Sequence, residues 1–467
     1  MIIQQLYTGC LSEAAYFVES NGEAIVIDPL RDTEEYLQLA RQYKATIKYI
    51  FETHFHADFV SGHLDLSNQT GATIVYGPNT ESNFTFHLAK DGEIFKVGDV
   101  TIEAIHTPGH TIESTCYLLR DKSGKPYAIF TGDTLFVGDV GRPDLSSGHM
   151  TSRDLASIMY DTIQNKILPL PDDVIVYPAH GPGSSCGKNI GTETATTIGN
   201  QKQTNYALQP QSRDEFIKAV ISGLNEAPPY FSINAKINKE GYKSLEQVKG
   251  KGLTPLTIKD VKEKIKKEVL ILDTRPGAEF VNGFIPGSLF IGLEGRFAEW
   301  AGCLIPFDRP MILVTEPGKE EESIVRLARV GFDNMEGYLR GSFDAWKKAG
   351  EKTDMIVEVD VDELAIDIPH DDRLLILDVR KENEFAEGHA KDALNIPLND
   401  MTDVAGIAQL EEDQNIYVHC ESGYRSVIAS SILKQQGYNN IRNVTGGWMA
   451  IKEQPGIKIE KEATVLN

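Results

Sequence analysis

The 467-residue sequence has only five cysteines, Cys10, Cys116, Cys186, Cys303 and Cys420, too few and too widely spaced for a disulfide framework. No apolar run approaches the roughly 20 residues that a spanning helix needs, and the opening "MIIQQLYTGC" has no basic region followed by an apolar stretch. Basic residues are scarce. The 46 Lys and Arg face 68 Asp and Glu, a net charge of -22 that repels nucleic acid and anionic membranes. These absences predict a soluble, cytoplasmic protein with neither a nucleic-acid nor a membrane partner. The length calls for roughly two to four domains.

Histidine is concentrated in the first 180 residues, where eight of the eleven lie. "THFHADFVSGH" (53–63) sets His54, His56 and Asp58 at i, i+2 and i+4, where a tight strand-to-helix loop can point all three side chains into one cavity. "TPGHT", "FTGDTLF" and "YPAHGPG" add His110, Asp133 and His180, each after a strand-like run and beside Gly or Pro. Four such segments together form a metal-site constellation that resembles the metallo-β-lactamase superfamily over about residues 1–245. In the two-metal hydrolases of that superfamily, the residue after the aspartate helps to hold the second ion. Here it is Phe59, with no lone pair to offer. A single ion on His54, His110 and Asp133 follows, a set of two imidazoles and a carboxylate that suits Fe(II) and O2 and that zinc can also occupy. The alternative is that Phe59 merely packs, and Asp58 and His180 still hold a second ion.

Within the superfamily the sequence most resembles the persulfide dioxygenases. That resemblance implies mononuclear Fe(II) on His54, His110 and Asp133, with His56, Asp58 and His180 orienting the ligands or bonding to metal-bound water. It also implies that Arg142, in "GDVGRPD", lies at the substrate thiol, where a guanidinium can pair with a carboxylate or phosphate. An ordinary loop salt bridge is the other reading of Arg142. Glutathione-using relatives tend to continue with Asp-Tyr after the last histidine, whereas "GPGSSCGK" follows His180 here, which leaves the carrier thiol open. Cys186 in that loop either holds or relays sulfur or is a spectator thiol.

Beyond residue 250 the chain repeats itself at an offset of about 105 residues. "LILDTRPGAEFVNGFIPGSLFI" (270–291) answers "LILDVRKENEFAEGHAKDALNI" (375–396), so that Asp273, Arg275, Glu279 and Gly283 correspond to Asp378, Arg380, Glu384 and Gly388. Alternating apolar strands and helical patterns predict two small α/β domains with parallel sheets. In the second, "IYVHCESGYRSVIAS" runs from a strand through a loop into a helix. Cys420 starts the loop, Arg425 ends it and Ser426 opens the helix, so backbone N–H groups of Glu421, Ser422, Gly423 and Tyr424 can cradle a thiolate or persulfide. Residues 358–455 resemble the rhodanese sulfurtransferases, and Cys420 matches their sulfur-carrying cysteine. The first copy reads "ILVTEPGKEEES", with Glu316 where the thiol should be and three glutamates where an anion would sit. It is expected to be a spacer or docking domain.

The resulting expectation is an α/β chain: a metallo-β-lactamase αββα sandwich (1–250), a rhodanese-like domain lacking the catalytic cysteine (251–352), whose Cys303 lies before the strand and cannot replace it, and an active rhodanese domain (353–467). The resemblances imply oxidation of a low-molecular-weight thiol persulfide by O2 to sulfite, sulfur transfer through Cys420 to give thiosulfate, and a homo-oligomer. Two rivals are a zinc-dependent thioester hydrolase resembling glyoxalase II, and a sulfur carrier or sensor with an idle metal domain.

Overall fold

The computed structural model describes residues 1–145, 150–224 and 226–462. The last residues assigned above to the third domain, 463–467, lie outside the described residues. Two six-stranded sheets build the first part of the chain. One runs in sequence order through Ile2–Thr8, Glu13–Ser20, Glu23–Ile27, Thr46–Phe51, Thr73–Tyr76 and His87–Leu88. In the other, Pro126–Gly132 lies between Thr115–Arg120 and Ile175–Pro178.

Alternating apolar residues on the inner faces close the sheets on each other. Tyr16, Val18, Ile25 and Phe51 of the first meet Ile102, Tyr117, Leu119 and Phe130 of the second in one core. The outer faces are apolar too, so they need helices over them. Helix Glu34–Tyr43 covers the first through Tyr36, and Ser152–Thr162 and Arg213–Ile221 cover the second through Met159 and Phe216. Helix Arg213–Ile221 begins at a reciprocal cap between Ser212 and Glu215. The expected αββα sandwich is what forms.

The two later copies share one topology. Each has a five-stranded parallel sheet. Its strands run in the order Pro255–Leu256, Met335–Leu339, Met311–Val314, Leu270–Asp273, Leu289–Phe290 in the first copy. The second copy has Val357–Val359, Ile441–Val444, Asn415–His419, Leu374–Asp378 and Leu394–Asn395 in the same order. By compactness the chain divides into Met1–Val248 with Val325–Asp333, and Lys249–Ile324 with Asn334–Asn467. Residue 250, the expected boundary, falls inside helix Leu245–Gly252.

Candidate functional sites

The metal-ligand candidates sit just past the ends of four strands, and two hydrogen bonds fix which ring nitrogens they offer. Thr53, next to His54, gives its backbone N–H and its hydroxyl to the two carboxylate oxygens of Asp28, at 2.7 and 2.9 Å. With its proton committed there, the Thr53 oxygen accepts from His54 Nδ1 at 3.0 Å. His110 Nδ1 donates to the Arg142 carbonyl at 2.8 Å. Both rings therefore carry their proton on Nδ1 and turn a bare Nε2 inward, 3.9 and 3.5 Å from Asp133 Oδ2. Burial pushes the His54 pKa well below that of free histidine, and neighbouring His56, His110 and His180 push it further, so the ring is neutral and available as a ligand.

Asp133 supplies the test of fit. The carboxylate is 2 % exposed and neither oxygen has a hydrogen-bond partner. A buried anion left this way is costly unless a cation completes it. The ligand atoms of His54, His110 and Asp133 lie within 4.8 Å of one another, so the three can hold one ion. Close packing keeps them there: a Cβ on Gly141 would come 2.1 Å from the Asp133 carbonyl and 3.0 Å from His110 Nδ1.

His180 and Asp58 lie beside this centre. His180 Nε2 is 3.4 Å from Asp133 Oδ1 and 3.5 Å from Asp58 Oδ2. His56 faces elsewhere. Its Nε2 is 3.1 Å from Asp28 and 3.7 Å from Glu52. Burial disfavours the imidazolium, but Asp28 and Glu52 outweigh it and raise the His56 pKa to about 10. Phe59 is fully buried and stacks on the His56 ring, centroids 4.3 Å apart. The ring is thus held by carboxylates and covered by an aromatic, and it groups within 4.8 Å both with Asp58 and His180 and with Asp28 and Glu52.

Arg142 reaches the site through its backbone. The carbonyl holds His110, while the guanidinium makes a two-pronged pair with Asp144 at 2.8 and 2.6 Å and donates to the Ser185 carbonyl at 3.3 Å. Cys186, 2 % exposed, groups with Asp133 and His180, and burial, then Asp58 and Asp133, raise its pKa well above that of a free thiol. A cavity of about 850 Å³ opens on His110 between Phe55, Leu88 and Ile112, with Lys236 and Lys239 also lining it.

Two contributors were not anticipated from the sequence. Asp28 ends a strand with φ 49°, a left-handed conformation uncommon outside glycine, and from there it holds both Thr53 and His56. Asn238, on helix Phe231–Glu240, donates to the carbonyls of His56 and Phe59, both at 2.8 Å, and accepts from Ser61 N–H at 2.9 Å. A strand-end Asp before Pro was a visible signal for the first. A lone Asn in an amphipathic helix gave none for the second.

In the last domain, Cys420 is 1 % exposed and accepts from Gly423 N–H at 3.1 Å. Gly423 sits at φ 119°, a conformation that side chains rarely adopt. Ser426 Oγ is 2.9 Å from the Gly423 carbonyl and 2.7 Å from Asn443, pinning the loop from behind. Arg425 is spent on Glu384, at 2.7 and 2.8 Å. Glu421 lies 3.6 Å from Arg380, and Ser422 is exposed. The adjoining cavity, about 620 Å³, is lined by Arg380, Glu384, Glu421, Trp448 and Lys452. In the first copy, Gly318 N–H donates to Glu320 at 2.8 Å, so the loop bonds to its own carboxylate.

Both parts of the chain are similar to known proteins. The metallo-β-lactamase superfamily profile matches residues 8–180, and the rhodanese-like domain profile matches 257–349 and 360–454. A probable hydroxyacylglutathione hydrolase of Schizosaccharomyces pombe is 34 % identical over 41 % of this chain and 72 % of its own length. The mitochondrial persulfide dioxygenase of Homo sapiens is 30 % identical over 44 % of this chain and 74 % of its own. The crystal structure of a metallo-β-lactamase from Staphylococcus aureus superposes with a TM-score of 0.64 at 31 % identity, covering 72 % of this chain and 98 % of that one. The chain belongs to the metallo-β-lactamase superfamily. It is a fusion in which that domain, with persulfide dioxygenases among its homologues, precedes two rhodanese-like domains. No helix among the described residues is long and apolar enough to cross a membrane.

Proposed function

We propose that the first domain is an Fe(II)-dependent persulfide dioxygenase and the last a sulfurtransferase, joined so that the product of one is the acceptor of the other. The observation that carries this is the His54, His110 and Asp133 group with its bare carboxylate, together with the non-ligating Phe59 after Asp58, which stacks on His56. His54, His110 and Asp133 would hold the iron, and the open positions on this donor set suit O2 activation. The Arg142 carbonyl and Thr53 keep the two imidazoles in the ligating tautomer. Phe55, Leu88 and Ile112 give the approach to His110 an apolar lining, and Lys236 and Lys239 offer charge to an anionic carrier.

The balanced reaction is R-S-SH + O2 + H2O giving R-SH + sulfite + two protons, with the outer sulfur oxidised and O2 reduced. Sulfite then attacks the outer sulfur of a Cys420 persulfide. The S–S bond breaks, thiosulfate leaves and the Cys420 thiolate is restored, with Gly423 N–H at hand to stabilise it. Low-molecular-weight thiol persulfide, O2, sulfite and thiosulfate are the small-molecule partners of this reading, and cytoplasmic persulfide detoxification is its role. Self-association is part of the proposal on the family resemblance.

The test is O2 uptake by Fe(II)-loaded protein given a thiol persulfide, with sulfur products read for wild type and Cys420→Ser. Uptake in both, with sulfite accumulating in the variant where wild type makes thiosulfate, is the expected result. No uptake in either would end the dioxygenase reading. Hydroxyacylglutathione hydrolase relatives favour one rival, thioester hydrolysis with zinc; hydrolysis by zinc-loaded protein would establish it.

A further inference from the structure

The copy without a loop cysteine is built against the helix that follows the sulfur loop. Helix Tyr424–Gln435 of the second copy bonds to residues 287–292 of the first at three places. Gln435 donates to the Gly287 carbonyl at 2.8 Å, Ser431 Oγ accepts from Phe290 N–H at 3.0 Å, and the Tyr424 hydroxyl donates to the Gly292 carbonyl at 2.8 Å. Positions i, i+7 and i+11 lie along one helix face. As the strand end of the first copy advances from 287 to 292, its partners step back from the end of the helix to its beginning.

The last step falls at the reactive loop. Tyr424 directly follows Gly423, whose N–H is bonded to Cys420 Sγ. Gly423 meets no neighbour that would hold it from the side: a Cβ there would find nothing within 4 Å. Its unusual φ of 119° is maintained by what is fastened on either side. Ser426 fastens the helix from within its own domain, and Tyr424 fastens it to the first copy. Among the described residues of the helix, Tyr424 is the one that links the loop's own edge to the other domain.

We propose that Tyr424 is a positioning residue for Cys420, acting through Gly423, and that the Gly292 carbonyl of the first copy is its anchor. The first copy is then a structural part of the sulfurtransferase site. This rests on Cys420 as the sulfur carrier.

The experiment uses the full chain as Tyr424→Phe and Gln435→Ala, with thiosulfate as donor and cyanide as acceptor. Tyr424→Phe, which removes one hydrogen bond and keeps the ring, should lower kcat by about fivefold to tenfold with KM for thiosulfate within about twofold. It should also slow alkylation of Cys420 by iodoacetamide at pH 7 about threefold, a readout that general loosening of the interface would not lower. Gln435→Ala, which cuts the interface at the far end of the same face, should leave both within about twofold. Wild-type values for Tyr424→Phe, or equal losses in Gln435→Ala, would overturn the proposal. If wild-type Cys420 shows no persulfide by mass spectrometry after thiosulfate, the sulfur-carrier reading falls, while the alkylation rates still decide the role of Tyr424.

Discussion

The two rhodanese-like copies keep the same buried ion pair and differ in the loop above it. Arg275 bonds to Asp273 at 2.6 Å and to the Gly283 carbonyl at 2.9 Å, with its guanidinium 4.5 Å from the Phe343 ring centroid. Arg380 repeats this with Asp378 at 2.6 Å, the Gly388 carbonyl at 2.7 Å and Trp448 at 4.4 Å. Strand pairing corrects the expected match of Glu316 to the thiol: Asp273 pairs with Val314 as Asp378 pairs with His419, so the residue at the position of Cys420 is Thr315, and Glu316 corresponds to Glu421. A feature retained where the chemistry has gone belongs to the scaffold, so the Arg-Asp pair is to be read as holding the strand-loop junction. The reactive loop, by contrast, holds a thiol on a backbone N–H in one copy and a carboxylate of its own in the other.

Removing the arginine is the strongest way to break that comparison. Arg275→Met and Arg380→Met each strand a fully buried aspartate, and each should cost about 3–5 kcal/mol of stability by chemical denaturation. Similar losses would confirm a shared structural role. A full-stability Arg380→Met with no sulfurtransfer would make Arg380 part of the chemistry instead.

Restoring the missing thiol sharpens the comparison from the other side. Thr315→Cys should yield under about 1 % of the wild-type sulfurtransfer rate when combined with Cys420→Ser, because Glu320 occupies the loop amide and repels an incoming anion. Thiosulfate formation above that level would show that the loop of the first copy needs only a nucleophile.

The smallest effect concerns Glu384, which pairs with Arg425. Burial alone would raise its pKa, but Arg425 and the Lys381 N–H outweigh this and hold it below the ordinary glutamate value. A depressed folded-state value stabilises the protein above the unfolded pKa, and the gain is lost as pH falls through the folded one. Wild type should therefore exceed Glu384→Gln by about 1 kcal/mol or less at pH 7, and the gap should close toward pH 4. A gap unchanged at low pH would rule out the ion pair as its source.

The sandwich, both parallel sheets and the repeat were legible because they rest on apolar periodicity and on residue types that survive at fixed spacing. The ligand candidates were legible for a related reason: His and Asp at four strand ends serve one cavity, and the structure groups them. Side-chain direction was not. Nothing in "GRPD" decides whether Arg142 turns outward to a substrate or back to Asp144, since an i+2 carboxylate competes with any ligand. Glu52 and Asn238 were hidden because they act through backbone groups and through His56, whereas Asp28 left a trace as a strand-end Asp before Pro. Contact between the copies at Tyr424 was equally unreadable, as it joins residues 132 positions apart.

Asn238 also sets how little of the chain can be kept. Every candidate ligand lies at or before Cys186, so a fragment ending soon after it would include the complete donor set. It would lack the amide that ties the turn after His54 at three points. The donor set and the amide that steadies its first turn come together only once Asn238 is present, so metal binding is expected of the whole domain and not of a fragment that carries the ligands alone.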